Sequence, residues 1–121
     1  MMTMKVFGIT ILAELYGCSF EVLDDVAAIE AFMLAACDKA NMTSLGIQSK
    51  KFDPQGVSCI IFLEESHISI HTWPENSFAC VDVFTCGSKA YPEKAVAYLA
   101  QKLNTTKHSL RIIERRHDEV G

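Results

Sequence analysis

Residues 63–75 read Leu63-Glu64-Glu65-Ser66-His67-Ile68-Ser69-Ile70-His71-Thr72-Trp73-Pro74-Glu75, and this segment organises the rest of the chain. It alternates between an apolar set and a polar and aromatic set: Ile68, Ile70 and Thr72 against His67, Ser69, His71 and Trp73. A period of two is typical of a half-buried β-strand. Pro74 ends the strand because proline has no backbone N–H to donate to a ladder.

Two of the four histidines of the chain lie in this segment, at a spacing that would suit a metal ion on a helix. On a strand, however, His67 and His71 lie about 13 Å apart at about 3.3 Å per residue. That distance is too large for both side chains to bind one zinc ion. The segment therefore predicts no metal site.

Five further segments are predicted strands: residues 5–16, 43–52, 57–63, 78–86 and a last one marked by Leu110 and Ile112. The turn sequence Asp53-Pro54-Gln55-Gly56 predicts a hairpin between the second and third of these. The mixed charges of residues 115–119 predict a solvated, frayed tail.

Two amphipathic helices complete the prediction. The first has an apolar stripe formed by Val22, Val26, Ile29, Met33, Ala36 and Ala40. Asp24 and Asp25 lie near its first turn, where negative charge is favoured, and Asn41 is its predicted stop. The second begins at Pro92 and has a shorter stripe: Val96, Leu99, Ala100 and Leu103. The predicted fold is α+β, a two-layer sandwich with an antiparallel β-sheet and two helices packed on one face. The other face is available for dimerisation and for the site.

Length and composition exclude several classes of protein. The 121 residues predict a single domain, and 50% hydrophobic with 21% charged residues is an ordinary soluble balance. A net charge of -4 argues against a nucleic-acid partner and is compatible with a cationic small molecule. No apolar run approaches the roughly 20 residues that span a bilayer, and the first residues lack the order of a signal peptide. Five cysteines without a CxxC spacing predict reduced thiols and a cytoplasmic location.

Residues 65–75, followed by Val81-Asp82-Val83-Phe84-Thr85-Cys86-Gly87, resemble the signature of the bacterial S-adenosylmethionine decarboxylase proenzymes. The resemblance extends from about Gly8 to Leu103. It implies an enzyme of polyamine synthesis that converts S-adenosylmethionine to its decarboxylated form, the aminopropyl donor for spermidine. It also implies a homodimer of cleaved protomers with sites at the interface.

The resemblance further implies a covalent pyruvoyl cofactor made from Ser66 by cleavage of the Glu65–Ser66 bond, giving a β chain of residues 1–65 and an α chain of residues 66–121. The Ser66 hydroxyl attacks the Glu65 carbonyl, and His71 then takes the α-proton of residue 66. Elimination and hydrolysis of the resulting imine leave the pyruvoyl group, and Ser58 assists. In turnover the substrate amine forms a Schiff base with the pyruvoyl group, and Cys86 returns a proton to the α-carbon.

Three substrate-binding residues are carried over from the same family. Phe52 matches an adenine-stacking phenylalanine, Glu75 a ribose-binding carboxylate, and Glu14 a carboxylate near the reacting centre. By pattern alone, Phe52 could equally cover a sheet face and Glu14 could be a solvated strand residue. A small satisfied core hydroxyl would likewise account for Ser58.

Strand geometry adds a prediction about how the site is assembled. On a straight strand, Ser66 and His71 lie about 16 Å apart and point to opposite faces, whereas a general base must come within about 3 Å of the proton that it removes. We therefore expect His71 to act on Ser66 of a second copy, with Ser58, Phe52 and Glu75 also supplied in trans.

Other interpretations remain open at this point. The chain could be an uncleaved, non-catalytic ligand-binding homologue, or a cysteine hydrolase that uses Cys86 with His71 and Asp82. The substrate could also be ornithine or arginine, because Thr10 stands where family members commonly have histidine. Asp53 and Gln55 likewise stand where family members usually have apolar or aromatic residues.

Overall fold

The computed structural model describes residues 2–64, 66–86 and 89–120, with side chains described for residues 6–64, 66–86 and 89–117. The described strands form one six-stranded sheet in the order β2-β3-β4-β5-β1-β6, and every neighbouring pair is antiparallel. Their bounds are β1 Met2–Tyr16, β2 Ser44–Lys51, β3 Val57–Leu63, β4 Ser66–Trp73, β5 Phe78–Thr85 and β6 Lys107–Val120. The predicted segment around β4 is thus a strand in the interior of the sheet, between β3 and β5.

The helices form the second layer: α1 Phe20–Leu23, α2 Val26–Lys39 and α3 Pro92–Lys102, with a 3₁₀ turn at Pro74–Asn76 after β4. The prediction of one continuous first helix is wrong at its start, where α1 and α2 are separate. Asp25 caps α2, because its carboxylate accepts a hydrogen bond from the Ala28 N–H at 3.1 Å. Within the described residues, no helix is both long and apolar enough to cross a bilayer.

The two faces of the sheet differ as the alternation predicts. Ile68 and Ile70 are fully buried beneath the helices, together with Ile11, Ile61 and Val81 from the neighbouring strands. Each such large side chain contributes about 1.5–3 kcal/mol through its burial. None of the described helices covers the opposite face, which we call the open face. It carries Thr10, Leu12, Glu14, Tyr16, Ser58, Ile60, Phe62, His67, Ser69, His71, Trp73, Phe78, Cys80, Asp82, Phe84 and Ile113. The predicted α+β two-layer sandwich is confirmed.

Thr72 is the polar residue that fixes the sheet to the helical layer. Its side chain is only 6% exposed, so its hydroxyl needs partners. It donates to the Leu23 carbonyl at 2.8 Å and accepts from the Val57 N–H at 2.9 Å. These bonds hold α1 against the start of β3 and the end of β4.

The prediction of a frayed tail at residues 115–119 is wrong. The backbone of β6 continues through this run and pairs with the first part of β1, with Arg116 opposite Val6 and His117 opposite Lys5. A charged run is compatible with a strand here because β6 is an edge strand whose side chains reach water. The sequence pattern alone could not show this pairing, since its partner lies at the other end of the chain.

Candidate active site

A cavity of about 370 Å³ lies at one end of the sheet, where β3 turns into β4 and where β5 ends. Ser66 and Cys86 both line it, and both are partly buried. The backbone N–H of Cys86 donates a hydrogen bond to Ser66 Oγ at 3.0 Å. The structure therefore brings together the predicted cofactor precursor and the predicted proton donor.

The local sequence explains why these two residues meet. Leu63 pairs with Ser66 in the β3–β4 register, and Ser66 is the first residue of β4. A Cβ atom at Gly8 would lie 2.5 Å from the Thr85 carbonyl oxygen, so only glycine lets β1 pass this closely beside the end of β5. Glu65, the residue before the predicted cleavage point, lies outside the described residues, as do residues 87–88.

Ser58 and His71 form a second pair on the open face. They lie opposite each other in the β3–β4 register, and Ser58 Oγ lies 2.7 Å from His71 Nδ1. When Nδ1 is the donor in this bond, the neutral ring keeps its lone pair on Nε2. His71 is exposed and can thus act as a base towards a group outside its own sheet.

Glu14 belongs to the same row of cross-strand neighbours. His71 pairs with Cys80, and Cys80 pairs with Glu14. Glu14 Oε1 accepts a hydrogen bond from Ser109 Oγ at 2.8 Å, across the β1–β6 ladder. The carboxylate is therefore held on the open face rather than extended freely into solvent.

Phe52 and Glu75 lie beyond this row, at the end of the sheet opposite the cavity. Phe52 precedes the β2–β3 hairpin turn, where its N–H donates to the Gly56 carbonyl at 2.8 Å, and its side chain is 45% exposed. Asp24 holds this hairpin because it accepts from the Gly56 N–H and pairs with Lys51, each at 2.9 Å. The hydrogen bond from the Gly56 N–H lowers the pKa of Asp24 most, and Lys51 lowers it further. Glu75 is exposed in the 3₁₀ turn after β4.

The predicted site residues thus fall into two groups within one chain. Ser66 and Cys86 occupy the cavity, whereas Ser58 and His71 lie about 16 Å further along the strands. The register of β4 with both neighbours is unbroken, so no bend brings the groups together. The same register argues against a cysteine hydrolase, because His71 pairs with Cys80 and Cys86 lies about 20 Å further along the chain.

The remaining cysteines are poor candidates for chemistry. Burial raises the pKa of the Cys37 and Cys59 thiols to about 11, and burial also raises the pKa of Cys18 and Cys80. Cys18, Cys37 and Cys59 are buried in the core, so Cys86 is better exposed than these three. Cys80, on the open face, is also partly exposed.

Five further polar residues line the cavity, and the sequence assigned none of them a role in the site: Asn41, Thr43, Glu64, Thr85 and Lys89. Asn41 was predicted only as a helix stop, and the helix does end beside it, at Lys39 with Ala40 as its C-cap. No spacing in the sequence links Asn41 to Cys86, since they meet only through the tertiary fold.

A two-layer sandwich that presents a serine hydroxyl and a cysteine thiol in one cavity has the groups for covalent and acid–base catalysis. The family model of S-adenosylmethionine decarboxylase matches residues 9–116, and the chain belongs to this family. It is 44% identical over 112 residues to the S-adenosylmethionine decarboxylase proenzyme of Moorella thermoacetica, covering 93% of this chain and 90% of that protein. It is 47% identical over 98 residues to the proenzyme of Synechococcus sp., covering 81% and 77%.

Solved structures agree with this assignment. The crystal structure of the adenosylmethionine decarboxylase from Aquifex aeolicus superposes with a TM-score of 0.85 at 37% identity, and 92% of each chain is covered. The Trypanosoma brucei AdoMetDC-delta26 monomer superposes with a TM-score of 0.65 at 15% identity. The second likeness covers 86% of this chain and 45% of the other, and it shows the fold alone.

Proposed function

We propose that this chain is a cytoplasmic, self-processing, pyruvoyl-dependent decarboxylase that converts S-adenosylmethionine to its decarboxylated form, an aminopropyl donor for polyamine synthesis. The observation that carries the proposal is the cavity in which the Cys86 N–H holds Ser66 Oγ at 3.0 Å, in a chain of this family. Ser66 suits a pyruvoyl precursor because it is the first residue of β4 and faces the cavity. The group formed from it would stay in the volume of the residue that it replaces.

Self-processing begins with Ser66 Oγ, which attacks the Glu65 carbonyl and takes over the acyl group from the backbone nitrogen. His71 removes the α-proton of residue 66, and the Cβ–Oγ bond of the ester then breaks. Oγ leaves as part of the new Glu65 carboxylate, and water replaces the nitrogen, which departs as ammonia. The products are residues 1–65 and residues 66–121, the latter with the pyruvoyl group at its amino terminus.

The base that acts on one chain belongs to a second chain in this proposal. The unbroken register of β4 supports it, because His71 faces away from Ser66 at about 16 Å within one chain. In the proposed dimer, the open faces of two chains pack together about a two-fold axis that lies between them and runs perpendicular to the strands. The axis reverses the strand direction, so the His71 end of one sheet meets the Ser66 end of the other.

The composition of the open face supports such a homodimer. Large apolar side chains are left exposed there, among them Tyr16 at 40%, Trp73 at 40% and Phe62 at 51%. Contiguous exposed apolar surface of this kind marks an interaction site. The rings of Tyr16, Phe78 and Trp73 are in contact with centroids 5.3 and 5.6 Å apart, so the patch is already ordered in one chain.

The residues of the assembled site then divide the work of turnover. The pyruvoyl group supplies the carbonyl that accepts the electron pair left on the α-carbon when carbon dioxide departs. Cys86 donates the proton that replaces the carboxyl group. Phe52, exposed at its hairpin, stacks on the adenine ring, while Glu75 binds the ribose and Glu14 contributes a carboxylate near the reacting centre. Ser58 orients the His71 ring through their 2.7 Å hydrogen bond during processing.

The test of this function is carbon dioxide release from carboxyl-labelled substrates by the purified, matured chain. Release from S-adenosylmethionine, with none above background from ornithine or arginine, is the expected result. Release from ornithine or arginine instead would show that the substrate is wrongly assigned, while the proposed reaction, a decarboxylation, would stand. An intact chain that releases nothing from any of the three would identify a non-catalytic homologue.

Cys86→Ala is expected to slow turnover far more than self-cleavage. The side chain is needed as an acid only after the pyruvoyl group exists, and loss of a general acid costs about 10²–10⁴-fold in rate. Its backbone N–H, which holds Ser66 Oγ, is retained in the variant. Cleavage is followed by gel and turnover by carbon dioxide release, with Cys80→Ala as the matched control. Equal losses in both steps would contradict the assigned role.

A further inference from the structure

Two hydrogen bonds attach the chain beyond Cys86 to the end of α2, one at Lys89 and one at Tyr91. Asn41 Nδ2 donates to the Lys89 carbonyl at 2.9 Å, and the Tyr91 N–H donates to the Ala40 carbonyl at 2.8 Å. Lys89 is only three residues beyond Cys86, so their Cα atoms are at most about 11 Å apart. The Asn41 amide therefore fixes the chain close to the thiol.

Cys86 itself has a contact with Ser66 that exists only before maturation. In the unprocessed chain the Cys86 N–H donates to Ser66 Oγ at 3.0 Å. In the proposed processing reaction, this oxygen leaves residue 66 within the Glu65 carboxylate. Maturation thus removes this bond at Cys86, whereas the contacts at Lys89 and Tyr91 do not involve residue 66 and are retained.

We propose that Asn41 is a positioning residue for decarboxylation, whose side-chain amide holds Lys89, three residues beyond Cys86, so that the thiol faces the reacting carbon. The inference rests on the proposed function and goes beyond it. Asn41 lines the same cavity as Ser66 and Cys86, so its bond to Lys89 lies beside the site where the proton is delivered. It acts through Cys86 and has no proton of its own to transfer.

The backbone at Asn41 allows the side chain to be tested separately from the helix end. Asn41 follows the C-cap of α2 with a φ of 57°, in the left-handed region where glycine and asparagine are favoured. Asn41→Gly therefore keeps the helix end and removes only the amide. Asn41→Asp keeps the shape of the side chain, but a carboxylate cannot donate to the Lys89 carbonyl.

The chain contains a matched control for these variants. Asn104 follows the C-cap of α3 with a φ of 58°. Its side chain is exposed, and within the described residues it makes no side-chain hydrogen bond. Asn104→Gly thus makes the same chemical change at an equivalent helix end, away from the cavity.

Four quantities are measured on the full chain: self-cleavage, kcat, KM for S-adenosylmethionine, and the rate at which iodoacetamide labels Cys86, read by peptide mass. For both Asn41 variants we expect kcat to fall about fivefold or more, because small misplacements of a catalytic group are costly. We expect KM within about twofold of wild type, less effect on self-cleavage than on kcat, and an altered Cys86 labelling rate. Asn104→Gly is expected to match wild type in all four.

The alternative outcomes are distinct. An Asn41→Gly enzyme with wild-type kcat, or an equal loss in Asn104→Gly, overturns the inference. A raised KM with unchanged kcat also overturns it, because Asn41 would then bind substrate directly. A wild-type chain that neither cleaves itself nor releases carbon dioxide refutes the proposed function and the inference with it, whereas the other outcomes leave the proposed function intact.

Discussion

Ser66→Ala is expected to yield a single intact chain of 13.4 kDa with no decarboxylase activity. Alanine keeps the backbone and the Cβ atom of the first residue of β4 but has no oxygen to attack the Glu65 carbonyl. Without that attack no ester forms, no elimination follows, and no pyruvoyl group appears. The loss of activity should be complete, because side chains alone offer no electron sink for decarboxylation.

Folding of this variant should be nearly unaffected. The change removes one acceptor, that of the Cys86 N–H, and a hydrogen bond of this kind contributes about 1 kcal/mol. Ser69→Ala is the matched control, because Ser69 lies on the same strand. This variant is expected to cleave itself as the wild-type chain does. Mass spectrometry and hydrazine trapping of the ketone give the result. A cleaved Ser66→Ala chain, or a trapped ketone in it, would exclude residue 66 as the precursor.

The strands were the most predictable part of the fold because local alternation determines which side chains are buried. The prediction for residues 57–63 matches β3 in both bounds, and the faces of β4 are confirmed by the burial of Ile68 and Ile70. The strand order could not be predicted, since the place of β1 between β5 and β6 depends on long-range pairing. The same holds for residues 115–119, whose charge suggested a tail while their backbone completes β6.

The candidate site shows a similar division. Ser66 and Cys86 stood out through their motifs, and strand geometry alone separated Ser66 from His71. Asn41 carries no such signal, because a helix stop has the same sequence whether or not its amide contacts another segment. The break between α1 and α2 was missed for a related reason. Asp24 is recruited by Gly56 and Lys51 of a distant hairpin, which no helical periodicity reveals.

Mixing two inactive variants tests whether the site is shared between chains. His71→Ala should be uncleaved alone, because it lacks the base, and Ser66→Ala should be uncleaved alone, because it lacks the nucleophile. In a mixed dimer, the Ser66→Ala chain still offers His71 to the intact Ser66 of its partner. Co-expression of the two, distinguished by tags, should therefore restore cleavage of the His71→Ala chain and never of the other.

The extent of restoration follows from symmetry. Random pairing of equal amounts places about half of the His71→Ala chains in mixed dimers, each with one complete site. About half of all His71→Ala chains should thus be cleaved. Carbon dioxide release should return with the one complete site of each mixed dimer. A mixture of His71→Ala with a Ser66→Ala, His71→Ala double variant is the control and should stay intact, because neither chain supplies His71. If the first mixture also stays intact although mixed dimers are isolated by their tags, His71 does not act in trans. The chain would then have to bring its own His71 to Ser66, against the unbroken register of β4.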